Sequence, residues 1–272
     1  MLPLLTSRVA VFIDTQKIVA VRYANRLRKK IIHQEIIHID QHSDKTETLV
    51  LTERLIQLFN EKTFKGYATE FIFSQHYTKQ RVAEWNAKLS YEDRKALIHH
   101  QLVELYGLNG QSIEIFLSDQ GYNKNAVAFT LDSMLYKTIN DLVIQKKIKS
   151  ARMTPYFSTR VNYWHKNIAK DAWVLIHEHH VVHIAKVMTD NWQTFKTYPF
   201  SETSSLSTIF KRELLFQEAE DYSNIYLITD SPEKFKDQAT APVLDAKQKL
   251  FLLCPDTLNK HALDLRFLAY LD

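Results

Sequence analysis

The feature that most constrains this chain is an order of elements that occurs twice: three short strands, a helix, then a further strand. The second occurrence is the plainer. Ala172–His177 is nearly all apolar, Val181–Val187 follows a turn at Glu178, His179 and His180, and Trp192–Tyr198 mixes large rings with polar residues, as a half-buried strand does. A helical segment at Leu206–Ala219 and an apolar strand at Asn224–Thr229 complete it. Near the other end the series reads Val9–Ile13, Ile18–Tyr23, Ile31–Ile39, a helix at Leu49–Lys62, then Ala68–Ser74. In that helix Leu51, Leu55, Leu58 and Phe59 recur at helical spacing and make one apolar face. The repetition implies an α/β architecture of two like halves, residues 1–168 and 169–272, with no low-complexity linker between them.

A stretch of the first half, about residues 66–125, has no counterpart in the second and is expected to form a small inserted subdomain. Within it Ala68–Ser74 and Tyr77–Trp85 are expected to pair as a hairpin. Ser90 with Asp93 three residues on marks the start of a helix, and Gly107 its end. Ser112–Leu117 reads as a strand. The core pattern is then expected to resume with a strand at Ala126–Thr130 and a helix whose buried stripe is Leu131, Met134, Leu135, Thr138, Ile139 and Leu142. A strand at Ala151–Tyr156 and a linking helix through Tyr163, Trp164 and Ile168 follow. Leu250–Cys254 and Thr257–Tyr270 are expected as a last strand and a closing helix.

Composition narrows the class. With 45% hydrophobic and 24% charged residues the chain has ample material for a core. No apolar run approaches the roughly 20 residues of a spanning helix, and the short apolar start at Met1–Leu5 is not expected to be a signal peptide. The single cysteine, Cys254, sits in an apolar run and excludes an intramolecular disulfide, which fits a reducing cytoplasm. A net charge of +4 falls short of a nucleic-acid signature. Average usage would give roughly 19 glycines; there are 4, all between Gly66 and Gly121. Phosphate-cradling loops need glycine so that backbone N–H groups can approach the anion, and neither strand-strand-strand unit has one in its turns.

Candidate chemistry is sparse. His177, Glu178, His179, His180 and His183 are the densest group of metal-ligand types, but they fall on a hairpin turn where exposed polar residues are ordinary, and no third ligand has matching spacing. His99 and His100 are adjacent and point to different helix faces. No metal site is therefore expected. Asp14 ends the first strand, where a metal-binding carboxylate would sit in a hydrolase, yet the other strand ends offer only Asp230 and Glu114. Arg26, Arg28, Lys29 and Lys30 form a basic hairpin tip, readable either as a patch for an anionic partner or as a solvated, edge-protecting loop. No P-loop, G-x-G-x-x-G, G-x-S-x-G or H-E-x-x-H is present.

On these residues the chain resembles the actin-like fold, two linked RNase H-like halves, and within it the pilus-assembly PilM family and the cytoplasmic part of the type II secretion GspL proteins. The resemblance rests on Val9–Asp14 followed by Lys17–Val21, on the insertion after the first helix, on Ala126–Leu131 leading into the next helix, and on Ala172–Val187 as the second copy. Such a fold binds nucleotide through a D-x-G turn in each half and a glycine pair near the adenosine. Here Asp14, Thr15, Gln16 and Lys17 keep the aspartate and lose the glycine. The turn at Ile176, His177 and Glu178 loses both, and Thr229, Asp230 and Ser231 offer no glycine. The resemblance thus implies a cytoplasmic, non-catalytic adaptor with a degenerate nucleotide site and no cofactor. Its partners would be the cytoplasmic tail of an inner-membrane assembly protein and a motor ATPase, with neither nucleic acid nor direct membrane insertion. An actin-like ATPase or sugar kinase with divergent phosphate loops stands as the alternative, and an RNase H-like nucleic-acid binder using Arg26–Lys30 as a second.

Overall fold

The computed structural model describes residues 7–24, 30–39, 47–108, 113–118, 121–201, 204–215, 224–235 and 250–254. Its strands are β1 (Ser7–Ile13), β2 (Lys17–Ala24), β3 (Lys30–His38), β4 (Ala68–Phe73), β5 (Gln80–Ala83), β6 (Ile113–Ser118), β7 (Ala126–Asp132), β8 (Ala151–Pro155), β9 (Ala172–Glu178), β10 (Val181–Met188), β11 (Asn191–Pro199), β12 (Asn224–Ile228) and β13 (Leu250–Leu253). The helices are α1 (Glu47–Asn60), α2 (Tyr91–Tyr106), α3 (Ser133–Gln145), α4 (Tyr156–Trp164) and α5 (Leu206–Leu215).

Two five-stranded sheets repeat one topology. The first has the order β3-β2-β1-β4-β8 and the second β11-β10-β9-β12-β13. In each, the first three strands form an antiparallel meander, and the fourth runs parallel to the first after a helix. The helix supplies the long crossover that a parallel pair requires. The duplicated order of the sequence is thus a duplicated sheet.

Period-two alternation decides what each face meets. Val9, Val11 and Ile13 of β1 point to Leu51, Leu55, Leu58 and Phe59 of α1 and to Leu135, Ile139 and Leu142 of α3. The alternate residues Ala10 and Phe12 join Tyr156 and Phe157 of α4, and with them Val174, Ile176, Ala185 and Phe195 of the second sheet. Trp173 and Leu175 of β9 take the far side, against Leu206 and Phe210 of α5. Each central strand is therefore buried on both faces, which is why β1 and β9 read as nearly continuous apolar runs. The middle cluster contains residues of both sheets, so the two halves share a core.

Three expectations from the sequence are corrected here. Ala68–Ser74 and Tyr77–Trp85 do not pair as a hairpin: β4 lies beside β1 in the large sheet, and β5 pairs with β7. The reason is burial. Phe71, Ile72 and Phe73 are all fully buried, filling both faces of an interior strand. Nor does the strand at Ala126–Thr130 return to the large sheet. It is the centre of a separate antiparallel sheet, β5-β7-β6, which packs on Ile98 and Leu102 of α2. Met134, expected in the stripe of α3, is 66% exposed, while Leu135, Ile139 and Leu142 carry that face. Asn125 ties the small sheet to β11: its backbone N–H donates to Asn191 Oδ1 (2.8 Å) and its Nδ2 to Trp192 O (2.6 Å).

Candidate functional site: a bridged cleft and an open groove

The duplicated meanders bring the turn after β1 and the turn after β9 face to face. Asp14 begins the first turn, its N–H closing on Lys17 O at 3.0 Å. The residue is buried, with its side chain only 5% exposed. Oδ1 accepts from the Thr15 N–H at 2.8 Å, and Oδ2 lies 3.0 Å from Nε2 of His179 in the opposite turn. Burial alone would push this carboxyl up, but the hydrogen bond and charge of His179, with the Thr15 N–H, hold it below the ordinary value. His179 is raised in turn, chiefly by its hydrogen bond to Asp14, against the opposing effect of burial. His179 also has φ of 50°, a left-handed conformation that glycine adopts more freely. A side chain stands at this strained corner of a two-residue hairpin, and it is the one that reaches Asp14.

Two further links cross the same cleft. Glu178, the last residue of β9, is 6% exposed; its Oε1 accepts from the Gln75 N–H at 2.9 Å, and its Oε2 lies 3.4 Å from Nε2 of buried His183. The turn reading of Glu178 as exposed is corrected, because the strand continues one residue further and turns this carboxylate inward. Asp230, beyond β12, receives Nη1 of Arg160 at 2.7 Å and the hydroxyl of Tyr156 at 2.8 Å, both from α4. Burial raises the Tyr156 phenol well above its usual value, keeping it a neutral donor.

The imidazoles of the sequence cluster go to different partners. His177 is buried against the rings of Phe200 and Phe235, with Nδ1 3.3 Å from Thr229 Oγ1, and burial pushes it down to about 4. His183 pairs with Thr197 Oγ1 at 3.0 Å. Of the first turn, Gln16 O accepts the Ile39 N–H at 2.8 Å, and Lys17 opens β2. Of the basic patch, Arg26, Arg28 and Lys29 lie outside the described residues, as does the side chain of Lys30, whose backbone starts β3. The expected closing helix at Thr257–Tyr270 also lies outside them.

A second feature lies where the edges of two sheets approach. β8 ends the first large sheet and β6 ends the small one, and among the described residues neither has a strand on its outer side. Between these edges lies a groove of about 490 Å³, lined by Phe116, Phe129, Met153, Phe157, Val161 and Trp192 together with Thr154, Ser158 and Asn162. Two strand edges over a lining of rings and polar side chains suit an extended peptide, which can add to a sheet edge and seat alternate side chains below. The two strands are separated by 32 residues of sequence (119–150), so no local motif announces the groove.

No protein-family model matches the chain, and no characterised protein matches it by sequence. Solved structures do match. The PilM–PilN type IV pilus biogenesis complex superposes with a TM-score of 0.65 at 9% identity, over 97% of this chain and 96% of that one. A Bacteroides thetaiotaomicron protein with an actin-like ATPase fold gives 0.62 at 9% identity, over 93% and 94%. The cytoplasmic domain of EpsL, an inner-membrane component of the type II secretion system of Vibrio cholerae, gives 0.56 at 11% identity, over 97% and 95%. The chain has an actin-like fold and resembles the PilM and EpsL structures over nearly its whole length. At such identities the likeness speaks for the fold.

Proposed function

We propose that this protein is a non-catalytic adaptor of an assembly machine of the type IV pilus or type II secretion kind, binding an extended segment of an inner-membrane partner. The observation that carries this reading is the groove between β6 and β8, whose outer edges carry no strand among the described residues. The resemblance to a PilM–PilN complex supports it, being a likeness to an assembly whose name includes a second protein. No helix among the described residues is long and apolar enough to cross a membrane, so recruitment to the inner membrane would come through the partner. Contact with a motor ATPase belongs to the same proposal.

The bridged cleft supports the non-catalytic part. Asp14 is the residue that would favour the rival ATPase reading, since it is the one phosphate-turn carboxylate retained. Its carboxylate is already held by His179, and a polyphosphate between the turns would have to break three links across the cleft. The direct test of the groove is Ser158→Trp, which places an indole on its wall from the surface of α4. The variant is expected to melt as the parent does while binding the partner's isolated cytoplasmic tail at least about tenfold more weakly, roughly 1.4 kcal/mol. Undiminished binding in a folded Ser158→Trp protein removes the groove from the account.

A further inference from the structure

At the outer edge of the first sheet, far along the chain from the cleft residues, three metal-ligand types meet. His33 and Glu35 are two apart on β3 and share a face. β3 is the outer strand of its sheet among the described residues. Glu61 directly follows the last residue of α1 and is turned back by its N–H to Leu58 O at 3.3 Å. One ligand atom from each of the three, an imidazole nitrogen and two carboxylate oxygens, lies within 4.8 Å of the others. The His33 ring is set by an edge contact with Phe64, centroids 5.4 Å apart.

Neither carboxylate forms an ion pair among the described residues. One oxygen of Glu35 is shielded from solvent and accepts no hydrogen bond. Beside it stands the Glu61 carboxylate, and no lysine or arginine pairs with either. Arg22 sits opposite His33 in the β2–β3 ladder, but its Nη1 donates to Thr63 O at 3.0 Å and to the Tyr67 hydroxyl at 3.2 Å. Two ionised carboxylates this close repel. One cation would serve the unpartnered Glu35 carboxylate, the Glu61 carboxylate and the His33 nitrogen, whose ligand atoms lie together.

We propose that His33, Glu35 and Glu61 bind one divalent transition-metal ion of the zinc class. An imidazole with two carboxylates suits a borderline ion that takes nitrogen and oxygen at about 2.0–2.2 Å, with water completing a tetrahedron. Calcium and magnesium, which prefer six or more oxygens, suit it less. The ion would clamp the end of α1 to the edge strand. Its affinity falls on acidification, because the imidazole must be neutral and the carboxylates ionised. The inference stands apart from the groove and from any partner.

The test is zinc titration of the chelator-stripped full chain by calorimetry, beside His33→Ala, Glu35→Gln and Glu61→Gln. A paired His99→Ala/His100→Ala variant controls for adventitious imidazoles. One saturable event near one equivalent is expected in the parent and in the control. It should weaken at least about tenfold in each site variant, with melting of the metal-free proteins checked separately. Glu61→Gln, on an exposed turn, keeps the test decisive should a β3 variant fold poorly. No saturable event in the parent, or one undiminished in the folded site variants, overturns the proposal.

Discussion

His179 shows how a single residue departs from what local preference asks. Its left-handed backbone favours glycine or asparagine, yet its imidazole joins the two halves through Asp14 at 3.0 Å. Removing it leaves a buried carboxylate without its cation, and His179→Gln is expected to lower stability by about 1–3 kcal/mol near neutral pH. The pH dependence follows from the signs. His179 is raised, so its contribution is fully present below its unfolded value near 6.5 and is lost as pH rises through the higher folded value. Asp14 is lowered, so its contribution is present above its unfolded value near 3.8 and is lost as pH falls through the lower folded one. The parent-minus-variant difference, from urea unfolding, should therefore shrink on going from about pH 6 to about pH 9; a difference that grows over that range contradicts the pairing. His177 acts in the opposite sense. Pushed down to about 4, it is held neutral by burial, and its charging as pH falls from about 6.5 to about 4 subtracts stability. That acid-side loss should diminish in His177→Gln, measured on the same profiles. Neither effect could be read from the chain, where these residues look like an exposed turn. Glycine poverty was legible; what had replaced the glycines in space was not.

Elements were read more reliably when their own residues decide them. Ser90 and Asp93 announce the start of α2, and the full capping box is there: Ser90 Oγ accepts from Asp93 N at 3.1 Å and Asp93 Oδ2 from Ser90 N at 3.2 Å. Gly107 closes the helix with φ of 61°. Ser90→Ala is expected to cost about 1 kcal/mol in urea-unfolding measurements. The misreadings concern which strand pairs with which. β4 and β5 are neighbours in the chain, and adjacency favours a hairpin reading. Non-local packing overrides it, since Phe71 and Phe73 belong with α1 and Ile72 with the shared core. The groove fails to show in the sequence for the same reason, because its two edges belong to different sheets.

At the scale of the whole molecule, residues of both large sheets share one buried cluster, and the two sheets are expected to unfold together. Phe157 on α4 is 1% exposed and meets Phe195 of the second sheet edge-on, centroids 4.7 Å apart. Phe157→Ala should destabilise by about 3–5 kcal/mol, with both halves still unfolding in one transition. The bridged cleft carries a ligand prediction as well. Magnesium and millimolar ATP should leave the melting temperature where magnesium alone puts it, since a ligand at ten times its Kd would add about 1.4 kcal/mol. A reproducible rise would restore the ATPase reading. The adaptor claim itself is tested most directly by membrane fractionation of cells making the parent or Ser158→Trp, with and without the inner-membrane partner, and with low- and high-salt washes. The account predicts membrane association of the parent that requires the partner, resists salt, and is lost in Ser158→Trp. Association that persists without the partner and washes off with salt, or a parent protein that stays in the soluble fraction in both strains, would contradict it.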